Sequence, residues 1–193
     1  MKIYRVRPKE NGVSCLYSDK NKLDCLEFQH HYQPYMNDDK CFGDWDISLF
    51  YTNSSINRRK KVYNILHYNL LFFITDEQSK VTLEKKFSDC IQFLEVINDD
   101  APSTKYYFFN PFKSVDGLDI DRSRCRFLPD SRVPIAVFDY VFKNDVEYYP
   151  VFKLRNEGIV YDKSVYATDE FKDFIEASGI TGLFFEELYD FND

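Results

Sequence analysis

The sequence predicts an α+β protein, an antiparallel or mixed β-sheet with a few helices. Three observations point there. Short runs rich in Tyr, Phe, Val and Ile, bounded by Asn, Asp, Gly and Pro, recur along the chain and read as strands. Only two segments, opening at Thr75 and Thr168, carry the start signals of a helix. Strand and helix alternate around those two segments alone, which argues against a doubly wound parallel sheet.

Taken in order, Ile3, Tyr4 and Val6 among charges give residues 2–7 as an edge or half-buried strand. Residues 8–46 are irregular, with turn formers at Asn11-Gly12, Ser18-Asp19, Asn37-Asp38-Asp39 and Gly43-Asp44; short strands are expected around residues 13–17 and 25–29. Residues 47–51 read as a strand. Residues 62–74 fit two strands or one helix, and the favoured reading is a helix-like or extended stretch feeding a strand over 70–74. In Thr75-Asp76-Glu77-Gln78 the threonine can cap a helix. Gln78 stands at the capping-box position, and two acids meet the positive end of the dipole. Val81, Leu83 and Phe87 carry that helix to Phe87. A buried strand is expected over 90–97, a loop over 98–104, an aromatic strand over 105–112 and a polar turn or short helix over 116–123. Two aromatic strands, 133–142 and 147–154, are joined by Lys143-Asn144-Asp145, a hairpin signal. One more short strand falls within 158–167. Thr168-Asp169-Glu170 opens the second helix, with Phe171, Phe174 and Ile175 on one face and Gly179 as a left-handed cap. Residues 183–188 form the last strand, and Tyr189 to Asp193 an exposed acidic tail.

The two helical segments repeat one grammar. Phe73-Ile74-Thr75-Asp76-Glu77, a helix and Cys90-Ile91-Gln92-Phe93-Leu94-Glu95 are echoed by Tyr166-Ala167-Thr168-Asp169-Glu170, a helix and Gly182-Leu183-Phe184-Phe185-Glu186-Glu187. Two similar strand–helix–strand units follow. The second, from Val165-Tyr166-Ala167-Thr168-Asp169-Glu170-Phe171-Lys172 through Gly179-Ile180-Thr181-Gly182 to Glu186, resembles the closing motif of bacterial immunity protein family eleven. That motif is a short strand, a Ser/Thr-acid-acid-aromatic helix start, then GLTG and an aromatic-Glu strand. Tyr106-Tyr107-Phe108-Phe109-Asn110, followed by Asp119 and Ser123, is similar to the family's central motif, in which an aromatic strand ending in Asn leads to an Asp and, four residues on, a Ser. The resemblance runs through about residues 70–190. Read as residues alone, Asp119 and Ser123 suit backbone bonding in a turn, and Gly179 and Gly182 suit backbone geometry.

The chain carries 25 Lys and Arg against 32 Asp and Glu, a net charge of −7. Phosphate backbones repel such a chain, so no nucleic-acid partner is expected; the run Arg58-Arg59-Lys60-Lys61 reads as a solvated edge. No apolar run reaches the roughly 18–20 residues of a membrane span, so no membrane partner is expected either. Five widely spaced cysteines without a Cys-x-x-Cys pair, and a start lacking an apolar leader, fit a cytoplasmic protein with reduced thiols. The pair His30-His31 and the single His67 stand in no metal-ligand spacing, and no phosphate-binding or nucleophile motif occurs, so neither metal, cofactor nor catalytic residue is expected.

Tyr and Trp beside acids in loops suit an interface, the acids steering a basic partner and the aromatics anchoring it. Two segments qualify. One holds Tyr35, Asp38, Asp39, Asp44 and Trp45; the other holds Glu186, Glu187, Tyr189 and Asp190. What the resemblance implies is a single immunity domain over residues 1–193, divisible into sub-lobes of about 1–98 and 99–193. It would bind a cognate toxin of a polymorphic toxin system and occlude its active site stoichiometrically, without catalysis. An acidic surface would suit a toxin with a basic groove. The alternatives are a small cytoplasmic enzyme with an unmarked site, or an adaptor module.

Overall fold

The structure, a computed structural model, describes residues 1–9, 14–17, 48–52, 63–68, 72–98, 103–156, 159–160 and 164–193. Among the described residues, two helices and mixed and antiparallel sheets make up an α+β fold. β1 (Lys2–Pro8) belongs to a sheet ordered β12-β11-β13-β1-β14, completed by β11 (Val151–Asn156), β12 (Ile159–Val160), β13 (Val165–Thr168) and β14 (Leu183–Asp190). A short β8 (Ser114–Val115) adds to β11 in parallel. The second sheet closes into a barrel ordered β2-β3-β6-β7-β5-β4. Its strands are β2 (Ser14–Tyr17), β3 (Ser48–Thr52), β4 (Ile65–Tyr68), β5 (Phe72–Asp76), β6 (Ile91–Asn98) and β7 (Lys105–Pro111). β9 (Arg124–Phe127) and β10 (Pro134–Asp139) form a separate two-stranded ribbon.

The sequence repeat is a repeat of topology. β5 and β6 flank β7, which is antiparallel to both; they therefore run parallel and are joined through α1 (Glu77–Phe87). β13 and β14 flank β1 in the same way and are joined through α2 (Asp169–Ser178). Each unit is a split βαβ. A parallel pair needs a crossover, and the capped helix supplies it. The intervening strand comes from just after the first unit, but from the chain's first residues in the second.

The two helices pack on one shared core. Leu83 and Phe87 of α1 and Phe171 and Ile175 of α2 are buried with Phe73, Ile91 and Phe109 of the barrel and Val6, Val151, Val165 and Leu183 of the open sheet. Phe87 lies 5.2 Å from Phe171 and 5.1 Å from Phe174 between ring centroids. The predicted apolar face of α2 is thus the buried one. The opposite face of the open sheet buries Ile3, Phe152, Leu154 and Tyr166 beneath Phe142, with Tyr140, Tyr148, Tyr189 and Phe191 packed around them. Lys153 of β11 is buried and donates to Asn110 Oδ1 at the end of β7, at 3.3 Å, tying sheet to barrel.

Several expectations are corrected in detail. The described residues between 62 and 74 belong largely to two antiparallel strands, β4 and β5, which is the two-strand alternative rather than a helix-like lead; Phe73 and Ile74 each have partners on both β4 and β7 and are buried. The first helix is capped by Asp76, not Thr75. Asp76 Oδ1 accepts from Ser79 N at 2.7 Å, while Thr75 is buried within β5. Its N3 residue is therefore Ser79, and Gln78 has no capping-box role. Thr168 is the N-cap of α2 but makes no side-chain cap bond. Asp169 instead accepts from Lys2 N at 2.7 Å and Tyr4 Oη at 3.0 Å, stitching the helix start to β1.

The hairpin expected around Lys143-Asn144-Asp145 does not form: β10 pairs with β9, and β11 pairs with β13, β8 and β12. Residues 158–167 contribute to two strands rather than one. The strand expected around residues 25–29 lies outside the described residues. Nor is the tail exposed throughout, since β14 runs to Asp190 and Tyr189 packs 5.8 Å from Phe142 and 5.0 Å from Phe191. Gly179 does take the left-handed conformation, with φ 71°, and donates its N–H to Glu176 O. A Cβ added there would meet nothing within 4 Å. Gly179→Val is therefore expected to cost about 1 kcal/mol through backbone strain alone, read as a lowered melting midpoint.

Candidate functional site

Asp119 and Ser123, the two positions of the central motif, hold one turn. Asp119 Oδ1 accepts from Arg122 N at 3.1 Å, and Asp119 O accepts from Ser123 N at 2.8 Å. Ser123 Oγ accepts from Val141 N at 2.9 Å and donates to Val141 O at 3.2 Å. Asp119 N donates to the same Val141 carbonyl at 2.8 Å. Ser123 immediately precedes β9 and Val141 lies just beyond β10, so these bonds clamp both feet of the β9–β10 ribbon. The expected backbone role of this pair is what the structure shows, and it serves to plant that ribbon.

The far end of the ribbon is held as well. Leu128 N donates to Val133 O, Val133 N donates to Ser131 Oγ, and Asn156 Nδ2 of β11 donates to Arg132 O at 2.9 Å. Arg132 also pairs with Asp121. Along its length, Arg124 is 2.6 Å from Asp139 and lies over the Phe138 ring at 5.3 Å. Between these anchors the ribbon is apolar and open to solvent: Phe127, Leu128, Ile135 and Phe138 are exposed, Phe138 by 55%. They are four of the seven large hydrophobic residues exposed among the described residues. Such clustering, rather than single exposed apolar side chains, marks an interaction surface. Beside it a pocket of about 260 Å³ is lined by residues 134–137 together with Arg5, Tyr140 and Ser164. Arg5 donates to Tyr140 Oη and lies over that ring at 5.0 Å.

The acids expected to steer a partner are placed differently from one another. Tyr35, Asp38, Asp39, Asp44 and Trp45 lie outside the described residues. Glu186, Glu187 and Asp190 line β14 opposite the cations of β1. Glu186 is 2.6 Å from Arg7 Nε and 3.6 Å from Arg5 Nη1; Lys2 Nζ is 2.8 Å from Glu187 and 3.6 Å from Asp190. Tyr189 is half-buried on the aromatic face. This end of the molecule is therefore a charge-compensated seam between the first and last strands. The strand expected over 133–142 is present as β10, but β9 and its pairing with β10 escaped the sequence reading, although Arg-Cys-Arg-Phe and Pro-Ile-Ala-Val-Phe around Leu128-Pro129-Asp130-Ser131 carry a strand–turn–strand signal.

The seam fixes a pH dependence. The hydrogen bond to Glu187 raises Lys2 above its usual 10.5. Backbone N–H donation from Asn192, helped by Lys2, lowers Asp190 below its usual 3.8. A depressed carboxylate stabilises the fold above its unfolded pKa, and that contribution disappears as pH falls through the folded value. The raised lysine contributes below its unfolded pKa and is lost as pH rises through the folded one. An NMR titration of the Asn192 amide, which donates to Asp190 Oδ1 at 3.0 Å, should show its midpoint below 3.8. A midpoint at or above the ordinary value would contradict the pairing.

Among the described residues no group of three or more His, Cys, Asp or Glu is placed to hold a metal ion. Burial pushes the Cys90 thiol up to about 12, so it is a packing group rather than a nucleophile at neutral pH. No helix among the described residues is long and apolar enough to cross a membrane.

The two split βαβ units thus accompany an exposed apolar ribbon that is held at both ends. The chain belongs to the immunity protein family Imm11, whose profile matches residues 28–190. That match includes both motifs and both strand–helix–strand units. No curated protein matches the chain at a significant level.

Proposed function

We propose that this chain is an immunity protein that binds a cognate bacterial toxin and neutralises it by stoichiometric occlusion of its active site. It catalyses no reaction of its own and acts in the cytoplasm of the cell that makes the toxin. The single observation that carries this reading is membership of the immunity family over residues 28–190. Two physical features support a binding mechanism. The ribbon offers apolar area at little ordering cost, because Ser123, Val141 and Asn156 already hold it, and preorganised surface binds more tightly than surface ordered on contact. The net charge of −7 favours encounter with a toxin whose groove is basic.

The test is protection. The neighbouring reading frames are searched for a toxin domain, and the candidate found is expressed in bacteria with and without this chain. Growth restored only when the chain is present supports the reading; arrest in both cases contradicts it.

A further inference from the structure

Resting on the immunity reading, we propose that Ile135 and Phe138 of β10 are the anchors this chain inserts into an apolar recess of the toxin, while the acidic remainder of the chain meets basic toxin surface around that recess. The pairing of the ribbon singles out these two residues. β10 has six residues and β9 has four. Pro134 stands opposite Phe127 and Ala136 opposite Arg126, so the ladder passes over Ile135. Val137 stands opposite Cys125 and Asp139 opposite Arg124, so it passes over Phe138 as well. The two extra residues are the two large apolar side chains that β10 exposes, by 47% and 55%. A bulge leaves its extra residue out of the ladder and re-aims its side chain. Two such interruptions in one short strand, each around an exposed apolar group, lower stability, and departures of this kind gather at functional sites.

Charge and strand chemistry select the occupant. The motif turn and ribbon, residues 119–139, hold four Arg and four Asp, so the net charge of −7 lies outside them. Three of these arginines are paired within the segment, Arg122 with Asp119, Arg124 with Asp139 and Arg132 with Asp121. A surface whose charges compensate one another while its apolar groups stand open is complemented by an apolar recess. The charge of the remainder attracts basic protein surface, which is the surround already inferred for the toxin groove. A second copy of this chain fits poorly, because two molecules of charge −7 repel. Nor does β10 invite an added strand: Pro134 at its start has no N–H to donate, and bulges twist a strand edge away from pairing. Side-chain insertion is therefore the mode, and a few desolvated apolar anchors can carry most of the affinity of such a contact.

Binding of the candidate toxin domain to purified chain gives the test, with association rates, dissociation rates and a melting curve for each variant. Ile135→Asp and Phe138→Asp should leave the melting midpoint in place while weakening binding by about 30-fold or more, mainly through dissociation. Ile135→Ala and Phe138→Ala, milder changes that guard against unfolding, should weaken it by about 10-fold. Phe184→Asp changes a residue of β14 that is 54% exposed and should bind like the parent. Between about 50 mM and about 500 mM salt, association should slow severalfold while the dissociation rate changes by less than about 3-fold. Folded ribbon variants that bind like the parent, or a Phe184→Asp loss equal to theirs, overturn the proposal and leave the immunity reading intact. Dissociation that quickens about 10-fold over that salt range shows an ionic contact and overturns the apolar recess. A parent chain that sediments as a dimer, and as a monomer once Phe138→Asp is introduced, gives the ribbon to a second copy and overturns the proposal too. A parent chain that neither binds nor protects against the candidate domain overturns the immunity reading itself, and this assignment with it.

Discussion

Gly182→Ala is expected to lower the melting midpoint by about 10 °C, from a cost of about 3 kcal/mol or more at roughly 2–4 °C per kcal/mol for a chain of this size. Gly182 has φ 112°, a backbone region that side chains strain to enter. A Cβ there would stand 2.0 Å from the carbonyl oxygen of Ile65 and 2.9 Å from its carbonyl carbon. Neither atom can turn aside as a side chain would. Both neighbours are also pinned: Ile65 N donates to Thr181 O at 2.9 Å, Asn64 Oδ1 accepts from Thr181 N and Oγ1, and Gly182 O accepts from Lys9 N at 2.8 Å. This junction joins the start of β4 in the barrel to the start of β14 in the open sheet. A melting midpoint within about 2 °C of the parent would show that the two backbones separate easily.

Phe171→Ala is expected to cost about 3–5 kcal/mol, the range for removing a buried aromatic ring. Phe171 is 0% exposed. Its ring lies 5.2 Å from Phe87 on α1, 6.0 Å from Phe109 in the barrel and 6.2 Å from Phe185 in the open sheet. One cavity would therefore loosen both repeats together. Hydrogen exchange should show protection falling in β7 and in β13 in step. Full protection retained in the barrel while the open sheet exchanges would mean that the two units do not share a core.

How much of this was legible depends on the range of the interaction. The helix grammar is local, so both helices, the apolar face of Phe171, Phe174 and Ile175, and the Gly179 cap could be read from residues a few places apart. The echo around Thr75 and Thr168 pointed to two like units, and the topology shows them as split βαβ pairs. Even there the cap moved by one residue, because the pairing of β5 with β7 extends through Thr75 to Asp76. Longer-range features were hidden. Nothing near Glu186, Glu187 and Asp190 in sequence reveals that Lys2, Arg5 and Arg7 lie across from them; that requires the pairing of the first strand with the last. Likewise, the hairpin signal at Lys143-Asn144-Asp145 was real as turn chemistry, but β11 found partners on β13 and β8 that bury Val151, Phe152 and Leu154. The role of Asp119 and Ser123 in a turn was read correctly. That the turn plants a ribbon was not, since Val141 lies 18 residues from Ser123.

Stoichiometric titration of the toxin domain with this chain tests the central claim most directly. Toxin activity is measured at fixed toxin concentration, well above the dissociation constant, as purified chain is added. Activity should fall linearly and reach zero at one chain per toxin, with the intact toxin recovered on dissociation. Inactivation by far less than one equivalent, or a toxin that stays modified after the chain is removed, would show catalysis in place of occlusion.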